Sequence, residues 1–180
     1  MKRLLLLLYV ALCVGNSIYG QSRFHVDVDG TYSLGLHESR HKNWSIPEDG
    51  HPYGFSGSLS VRYDLDTRWS AGVGIGLARD YNENRRTTPI FATVRFKALK
   101  RLPEPYIFAK VGCTFIDIGS NTDSGFTGTL GVGYTKMFAK HFGLNFQLGY
   151  NLQTFNNEVY IGSDETDVRR SITFGMGVTF

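Results

Sequence analysis

The most constraining feature of this sequence is a strict period of two toward its C-terminal end. In residues 142–153, large apolar or aromatic side chains take every second position, and Gly, Asn and Gln take the others. Residues 171–180 repeat the pattern with Ile, Phe, Met, Val and Phe against Ser, Thr and Gly. Such alternation puts two kinds of side chain on opposite faces of a β-strand. Both runs exceed the usual globular strand of about 5–6 residues, so the pattern predicts long, two-faced strands.

Six further runs alternate less regularly, which makes eight strands in all. They lie at about 24–35, 53–63, 68–78, 89–99, 105–116 and 125–136. One face carries mostly Gly, Ser, Thr and Asn, and the other forms a continuous apolar belt. Strands of this length suit an outer membrane, where lipid offers no partner to an open sheet edge. We therefore predict an all-β fold, an eight-stranded antiparallel up-and-down transmembrane β-barrel; a secreted soluble β-sandwich is the alternative.

The connections between these runs are predicted to alternate in length. Residues 64–67, 100–104 and 139–141 form short turns, whereas 36–52, 79–88, 117–124 and 155–168 are longer and polar. In transmembrane barrels short turns face the periplasm and longer loops face outside the cell. Aromatic residues near the strand ends are expected to form two girdles. One comprises Phe24, Tyr63, Trp69, Phe96, Tyr134, Phe142 and Phe180, and the other comprises Tyr32, Phe55, Phe115, Phe126 and Tyr150.

The N-terminal segment has the three zones of a secretory signal peptide. A basic start is followed by an apolar run over 4–14 and by small or polar residues up to Gly20. We predict that residues 1–20 are cleaved and that 21–180 form one outer-membrane β-barrel domain. Only 2 Cys are present, which excludes a disulfide scaffold. A net charge of +3 without a basic run gives no indication of a nucleic-acid partner.

Together these features resemble the small eight-stranded outer-membrane barrels of the OmpA/OmpX-like superfamily, in particular the barrel-only proteins common in Bacteroidota. The resemblance covers residues 22–180 and implies the outer membrane of a Gram-negative bacterium, with membrane lipid and lipopolysaccharide as partners. It implies no peptidoglycan-binding domain, and we expect a monomer. The C-terminal strand resembles the signal that the barrel-assembly machinery reads in this family. Its alternating positions are Ile172, Phe174, Met176, Val178 and Phe180.

Charged residues on the inward face predict a network inside the barrel. An eight-stranded barrel has room only for its own side chains, and isolated buried charges are costly, so acids and bases should pair. Adjacent strands favour pairing of Arg62 with Asp27 or Asp29. The excess of bases leaves a narrow or gated, anion-favouring channel as an alternative function. The predicted network comprises Asp27, Asp29, Arg62, Arg95, Lys97 and Lys110.

Arginines near the predicted outer rim form a second candidate site. The planar guanidinium suits the phosphates of lipopolysaccharide, although ordinary surface charge explains the pattern equally well. This set comprises Arg79, Arg85, Arg86, Arg169 and Arg170.

The first predicted outer loop offers weaker candidates. His37 and His41 have a spacing that binds metal on a helix, but Pro47 and Gly50 argue against a helix, so no metal or cofactor is expected. His37 and Ser39 leave a lipid A-modifying enzyme as a second alternative, yet no nucleophile with an oriented base is evident. We therefore expect no catalytic residue. The predicted role is a non-enzymatic barrel with a plugged interior, acting in envelope integrity or in adhesion to an unidentified extracellular ligand.

Overall fold

The computed structural model describes residues 23–39, 53–80, 86–98, 104–118, 121–139, 142–156 and 166–180. The predicted signal peptide, 1–20, lies outside these residues. Eight strands follow one another along the chain. They are β1 (Phe24–Ser39), β2 (Tyr53–Asp64), β3 (Trp69–Asp80), β4 (Arg86–Phe96), β5 (Pro105–Ile118), β6 (Asn121–Ala139), β7 (Phe142–Asn156) and β8 (Thr166–Thr179).

The strands form one closed antiparallel barrel, as the alternation predicts. Each strand pairs with its neighbour in sequence, and β8 returns to pair with β1. That closing ladder runs from Asp27 opposite Thr179 to Ser39 opposite Val168. Two backbone hydrogen bonds between Val26 and Phe180, of 3.0 and 2.9 Å, extend it to the last residue. The predicted fold class is confirmed. We call the end with Phe24 and Phe180 the terminal end, and the opposite end the loop end.

Burial in the barrel is the reverse of a water-soluble protein. Asp27 and Asn145 are 0% exposed inside, whereas Leu77 and Leu130 are 62% and 63% exposed outside. The period of two explains this distribution, because a strand sends successive side chains to opposite faces. Among the described residues, no helix is long and apolar enough to cross a membrane.

Aromatic rings cluster on the outer surface at the terminal end. The ring centroids of Trp69 and Phe96 are 4.6 Å apart, and those of Phe142 and Phe180 are 5.9 Å apart. Their partners occupy neighbouring strands, so strand register brings them together. Members of the second predicted girdle are also exposed on the outer face: Tyr32, Phe55, Phe115, Phe126 and Tyr150.

Three predicted connections are wrong in length. Strands β5 and β6 remain paired as far as Ile118 and Asn121, so residues 119 and 120 replace the expected long connection over 117–124. Continued pairing satisfies backbone N–H and C=O groups that a loop would leave to water. At the terminal end, β4 ends at Phe96 rather than at 99, which lengthens the expected short connection. The expected long connection over 79–88 is also shorter than predicted, since β3 and β4 stay paired as far as Arg79 and Arg86 and leave only 81–85 between them. Longer gaps separate the strands at 40–52 and 157–165.

Candidate functional site

A buried carboxylate, Asp27, is the centre of a polar cluster in the terminal half of the lumen. Its Oδ2 accepts a hydrogen bond from Arg62 Nε at 3.2 Å and forms an ion pair of 2.8 Å with the Arg95 guanidinium. Its Oδ1 accepts a bond of 2.6 Å from the Thr179 hydroxyl. One carboxylate therefore holds two guanidinium groups that come from different strands.

Asp29 lies two residues after Asp27 on β1, deeper in the lumen, and its partners are mainly side-chain amides. Asn145 Nδ2 donates to its Oδ1 at 2.9 Å, and Gln147 Nε2 donates to its Oδ2 at 3.2 Å. The ammonium of Lys110 lies 3.9 Å from the same carboxylate and donates to Gln147 Oε1 at 3.0 Å. Charge and amide partners together satisfy a carboxylate that water does not reach.

A third carboxylate, Asp64, lies closest to the terminal end. Arg62 donates to its Oδ1 at 3.1 Å, and His25 Nε2 lies 3.2 Å from its Oδ2. Lys97, just after β4, lies 3.9 Å from Asp64. Arg62 thus links Asp64 to Asp27, and the cluster continues from the barrel mouth to its middle.

Neutral side chains complete the barrier across the lumen. The Tyr106 hydroxyl donates to Asn145 Oδ1, which also accepts a bond of 3.1 Å from Thr135. The Arg95 guanidinium lies 4.8 Å from the centre of the Tyr106 ring, a cation–π distance. We call this whole cluster the plug. All eight strands contribute to it, through Asp27, Asp29, Arg62, Asp64, Ser70, Arg95, Tyr106, Lys110, Thr135, Asn145, Gln147 and Thr179.

Two glycines give the plug the space that it occupies. A Cβ at Gly133 would overlap the ring of Tyr106, its cross-strand partner. A Cβ at Gly177 would overlap the carboxylate of Asp29. The abundance of Gly on the inward face is therefore a packing requirement at these positions.

The structure brings all six residues of the predicted lumen network into or beside the plug. Arg62 pairs with Asp27, whereas Asp29 instead contacts amides and Lys110. Asp64, predicted to begin a turn, instead belongs to β2 and faces inward, because it lies two residues after the inward-facing Arg62. Tyr106, Asn145 and Gln147 also face inward but were not predicted to join the network. The alternation of side chains along their strands would have indicated their direction.

Above the plug, toward the loop end, the lumen contains a polar cavity of about 110 Å³. Its lower part is lined by Phe91, Phe108 and Lys110, and its walls are rich in hydroxyl groups. Near its upper end, Arg169 of β8 reaches Asp80 of β3 with an ion-pair distance of 2.7 Å. Because β3 and β8 are not neighbours, this ion pair crosses the lumen.

The predicted rim arginines divide between two faces. Arg79 and Arg86 are exposed on the outer face and lie opposite each other on β3 and β4. Arg170 is exposed on the outer face of β8. Arg169, expected near the outer rim as a lipopolysaccharide contact, instead faces inward and is buried, on the same side of β8 as Ser171 and Thr173. Arg85 lies outside the described residues.

The residues of the predicted assembly signal lie along the outer face of β8 and at its end. Phe174, Met176 and Phe180 are exposed, and Ile172 and Val178 are half-buried. This is the surface that a membrane would cover.

The candidates of the first outer loop lie largely outside the described part of the chain. His41 is not among the described residues, and of His37 and Ser39 only the backbone, paired in β1, is described. In the part of the chain that the structure describes, no group of three His, Cys, Asp or Glu side chains could hold a metal ion.

No protein-family model matches this sequence, and no curated protein sequence matches it either. Solved structures do match. Neisserial surface protein A superposes with a TM-score of 0.55 at 18% identity, over 87% of this chain and 95% of that chain. Ail, the attachment invasion locus protein of Yersinia pestis, gives 0.51 at 11% identity, over 88% and 99%. The chain therefore has the fold of a small eight-stranded outer-membrane β-barrel, like these two proteins.

Proposed function

We propose that this protein is a non-enzymatic β-barrel of a Gram-negative outer membrane, with a lumen closed by the plug and a loop end that acts in adhesion or another surface interaction. The observation that carries the proposal is the combination of an apolar outer surface with a charged interior whose acids and bases pair across the lumen. An apolar outer surface is stable in contact with lipid, and a charged interior is stable inside a barrel that is closed to lipid.

The outer surface supports a membrane location. Apolar side chains such as Val73, Ile75 and Leu77 follow one another along the outer face of β3 at 49–65% exposure. A water-soluble protein rarely exposes contiguous apolar patches of this extent. The ring pairs at the terminal end correspond to the aromatic girdle of transmembrane barrels. Exposure to lipid rather than water accounts for both features.

The plug supports a role without conductance. It uses residues from every strand, and its centre is inaccessible to water, with Asp27 at 0% and Arg95 at 3% exposure. An ion crossing the lumen would have to separate at least one pair such as Asp27–Arg95, and breaking a buried pair costs about 3–5 kcal/mol. This cost argues against the channel alternative.

The structural neighbours support a role at the cell surface. One is named a surface protein and the other an attachment invasion locus protein. For this chain, the same role would involve the loop end, which the longer connections 40–52 and 157–165 occupy. The loop end would then face the medium and the terminal end the periplasm.

Partners at the membrane follow from the same placement. The neighbouring guanidinium groups of Arg79 and Arg86 would contact lipopolysaccharide phosphates, because two adjacent guanidinium groups can donate hydrogen bonds to one phosphate. The barrel-assembly machinery would read the C-terminal strand, whose last residue, Phe180, already closes the seam with β1.

A fractionation and conductance experiment tests the proposal. The full chain, expressed in a Gram-negative host, should sediment with outer membranes and migrate as a compact band that shifts on boiling. The purified barrel should give no discrete conductance steps in a planar bilayer. Asp27→Ala, which removes the centre of the plug, should produce such steps, whereas the outward-facing Val73→Ala should not.

Three results would contradict the proposal. Recovery as a soluble protein without a heat-dependent band shift would exclude the membrane location. Discrete conductance of the unaltered protein would favour the channel alternative. A change in the mass of lipid A upon expression would favour the enzyme alternative.

A further inference from the structure

We propose that the cavity above the plug binds a small, uncharged polyhydroxyl molecule of monosaccharide size. The plug closes this cavity toward the terminal end, so among the described residues access to it lies toward the loop end. We call it the lumen cup. The inference rests on the proposed function only for the assignment of the loop end to the medium.

The lining of the lumen cup suits a sugar in its chemistry. Nine serine and threonine residues line the space, and their hydroxyl groups can both donate and accept hydrogen bonds. Phe91 and Phe108 add an apolar surface at the bottom, and both are buried. Pockets that bind small molecules combine such an apolar surface with a few convergent polar groups. The hydroxyl groups belong to Thr31, Ser33, Ser56, Ser58, Thr87, Thr127, Thr129, Ser171 and Thr173.

The charges around the lumen cup argue for an uncharged ligand. Of the three basic residues that line it, Arg79 has its side chain on the outer face, and the two inward-facing ones each lie beside a carboxylate. Lys110 lies 3.9 Å from Asp29, and Arg169 lies 2.7 Å from Asp80. Since both inward positive charges have a negative partner, the cup presents no unpaired inward cation to an anion. Lys110 also lies 5.4 Å from the centres of both phenylalanine rings, which holds its ammonium at the bottom of the cup.

Size and access set further limits on the ligand. A volume of about 110 Å³ exceeds the space that one water molecule needs and fits one small ring better than a chain of several. The Arg169–Asp80 ion pair crosses the upper part of the cup, so entry requires this pair to move aside. A ligand of this kind would bind weakly, with a dissociation constant in the millimolar range, equivalent to about −4 kcal/mol.

An NMR titration tests the inference. The full-length barrel, isotope-labelled in lipid nanodiscs, is titrated with D-glucose and, separately, with sodium acetate at constant ionic strength. We expect saturable shifts with glucose at the amides of Thr31, Thr129 and Thr173, and no saturable shifts with acetate. The amide of Trp69, at the terminal end and remote from the cup, should not move.

Matched variants separate binding in the lumen cup from binding elsewhere. Ser58→Phe fills the cup and should abolish the shifts, whereas Leu77→Phe adds the same ring to the lipid-facing surface and should leave them unchanged. Phe91→Leu keeps most of the volume but removes an aromatic face, and should raise the dissociation constant at least fivefold. Each variant is first checked for the heat-dependent band shift of a folded barrel.

Several outcomes would overturn the inference. These are the absence of saturable shifts with glucose, stronger binding of acetate than of glucose, and glucose shifts that survive Ser58→Phe. None of them depends on fractionation or conductance, so the lumen cup and the proposed function can fail separately.

Discussion

At the scale of single residues, Asp27 is the position on which the plug depends most. Its carboxylate is the shared partner of two guanidinium groups and of Thr179. An asparagine keeps the shape but removes the charge, so Arg62 and Arg95 would face each other across a neutral group. Removing one partner of a buried ion pair is strongly destabilising because the remaining charge is uncompensated.

We predict that Asp27→Asn lowers the free energy of unfolding by about 3–5 kcal/mol. Urea unfolding in lipid vesicles, followed by the heat-dependent band shift, measures this change. Asp66→Asn is the control, because Asp66 lies in the exposed turn between β2 and β3 and accepts a backbone hydrogen bond from Thr67. Equal effects of the two substitutions would show that the Asp27 pairs contribute little.

Two glycines allow a second prediction about single residues. Gly133 has the ring of Tyr106 where its Cβ would be, whereas a Cβ at Gly57 meets no atom within 4 Å. Gly133→Ala should lower the free energy of unfolding by about 1–3 kcal/mol through overpacking. Gly57→Ala should change it by less than about 1 kcal/mol. The same urea assay compares the two variants; a larger loss for Gly57→Ala would contradict this packing.

At the scale of strands, the β3–β4 ladder is interrupted beside Pro89. Pairs on both sides, Ile75 with Ile90 and Ala78 with Thr87, keep one register, yet the two pairs between them are missing although both strands are described there. Proline has no N–H to donate to the neighbouring strand. The β3–β4 ladder therefore lacks two pairs at this point, which borders the lumen cup.

We predict that Pro89→Val restores the pairing between β3 and β4 at this position. Valine restores the N–H donor opposite Gly76 and is a good strand residue, so the free energy of unfolding should rise by about 1 kcal/mol. Urea unfolding measures the change, and hydrogen exchange at residue 89 should show protection of the new amide. Pro105→Val, at the first residue of β5, is the control and should gain less. An unprotected amide at residue 89 would contradict the prediction.

The connection before β5 provides a pH-dependent link to β6. Glu104 accepts hydrogen bonds from Lys136 Nζ at 2.8 Å and from the Tyr134 hydroxyl at 2.6 Å. These bonds, that from Lys136 first, lower the pKa of Glu104 below its ordinary value. A lowered pKa in the folded state stabilises the fold above the unfolded pKa of about 4.3. The contribution disappears as the pH falls through the folded pKa.

We therefore predict that Glu104→Gln reduces the free energy of unfolding at pH 7 by a small amount. The difference from the unaltered protein should vanish in acid below the folded pKa and shrink in high salt, because Glu104 is solvent-accessible. Unfolding curves at several pH values measure it. A difference that is constant across this range would mean that the substitution acts through packing instead.

At the scale of the whole molecule, the outer surface predicts how the barrel sits in lipid. Trp69 is 48% exposed, faces outward and lies at the terminal end. Trp44→Phe leaves Trp69 as the sole tryptophan of the chain. In vesicles its fluorescence should be quenched more by bromine near the head groups than by bromine at the bilayer centre. Absence of quenching at both depths would contradict the membrane placement.

Much of the fold was predictable because alternation is a local property. Whether a residue faces in or out depends on its parity along one strand, so Asp27, Asp29, Arg62 and Arg95 were placed inward from the sequence. Strand ends were less accurate, as at 117–124 and after Phe96. Pairing can continue beyond the apolar run wherever two polar strands remain side by side, and no single residue marks where it stops.

The sequence by itself determined the number of strands, their order and the face that side chains take within each alternating run, because these follow from a period of two and from the rule that lipid permits no open edge. Only the tertiary structure decided the partners across the lumen. Closing the barrel set Asp29 against Asn145, 116 positions away, and Asp80 against Arg169. Such distances across the lumen depend on the register of all eight ladders together, which no local pattern records.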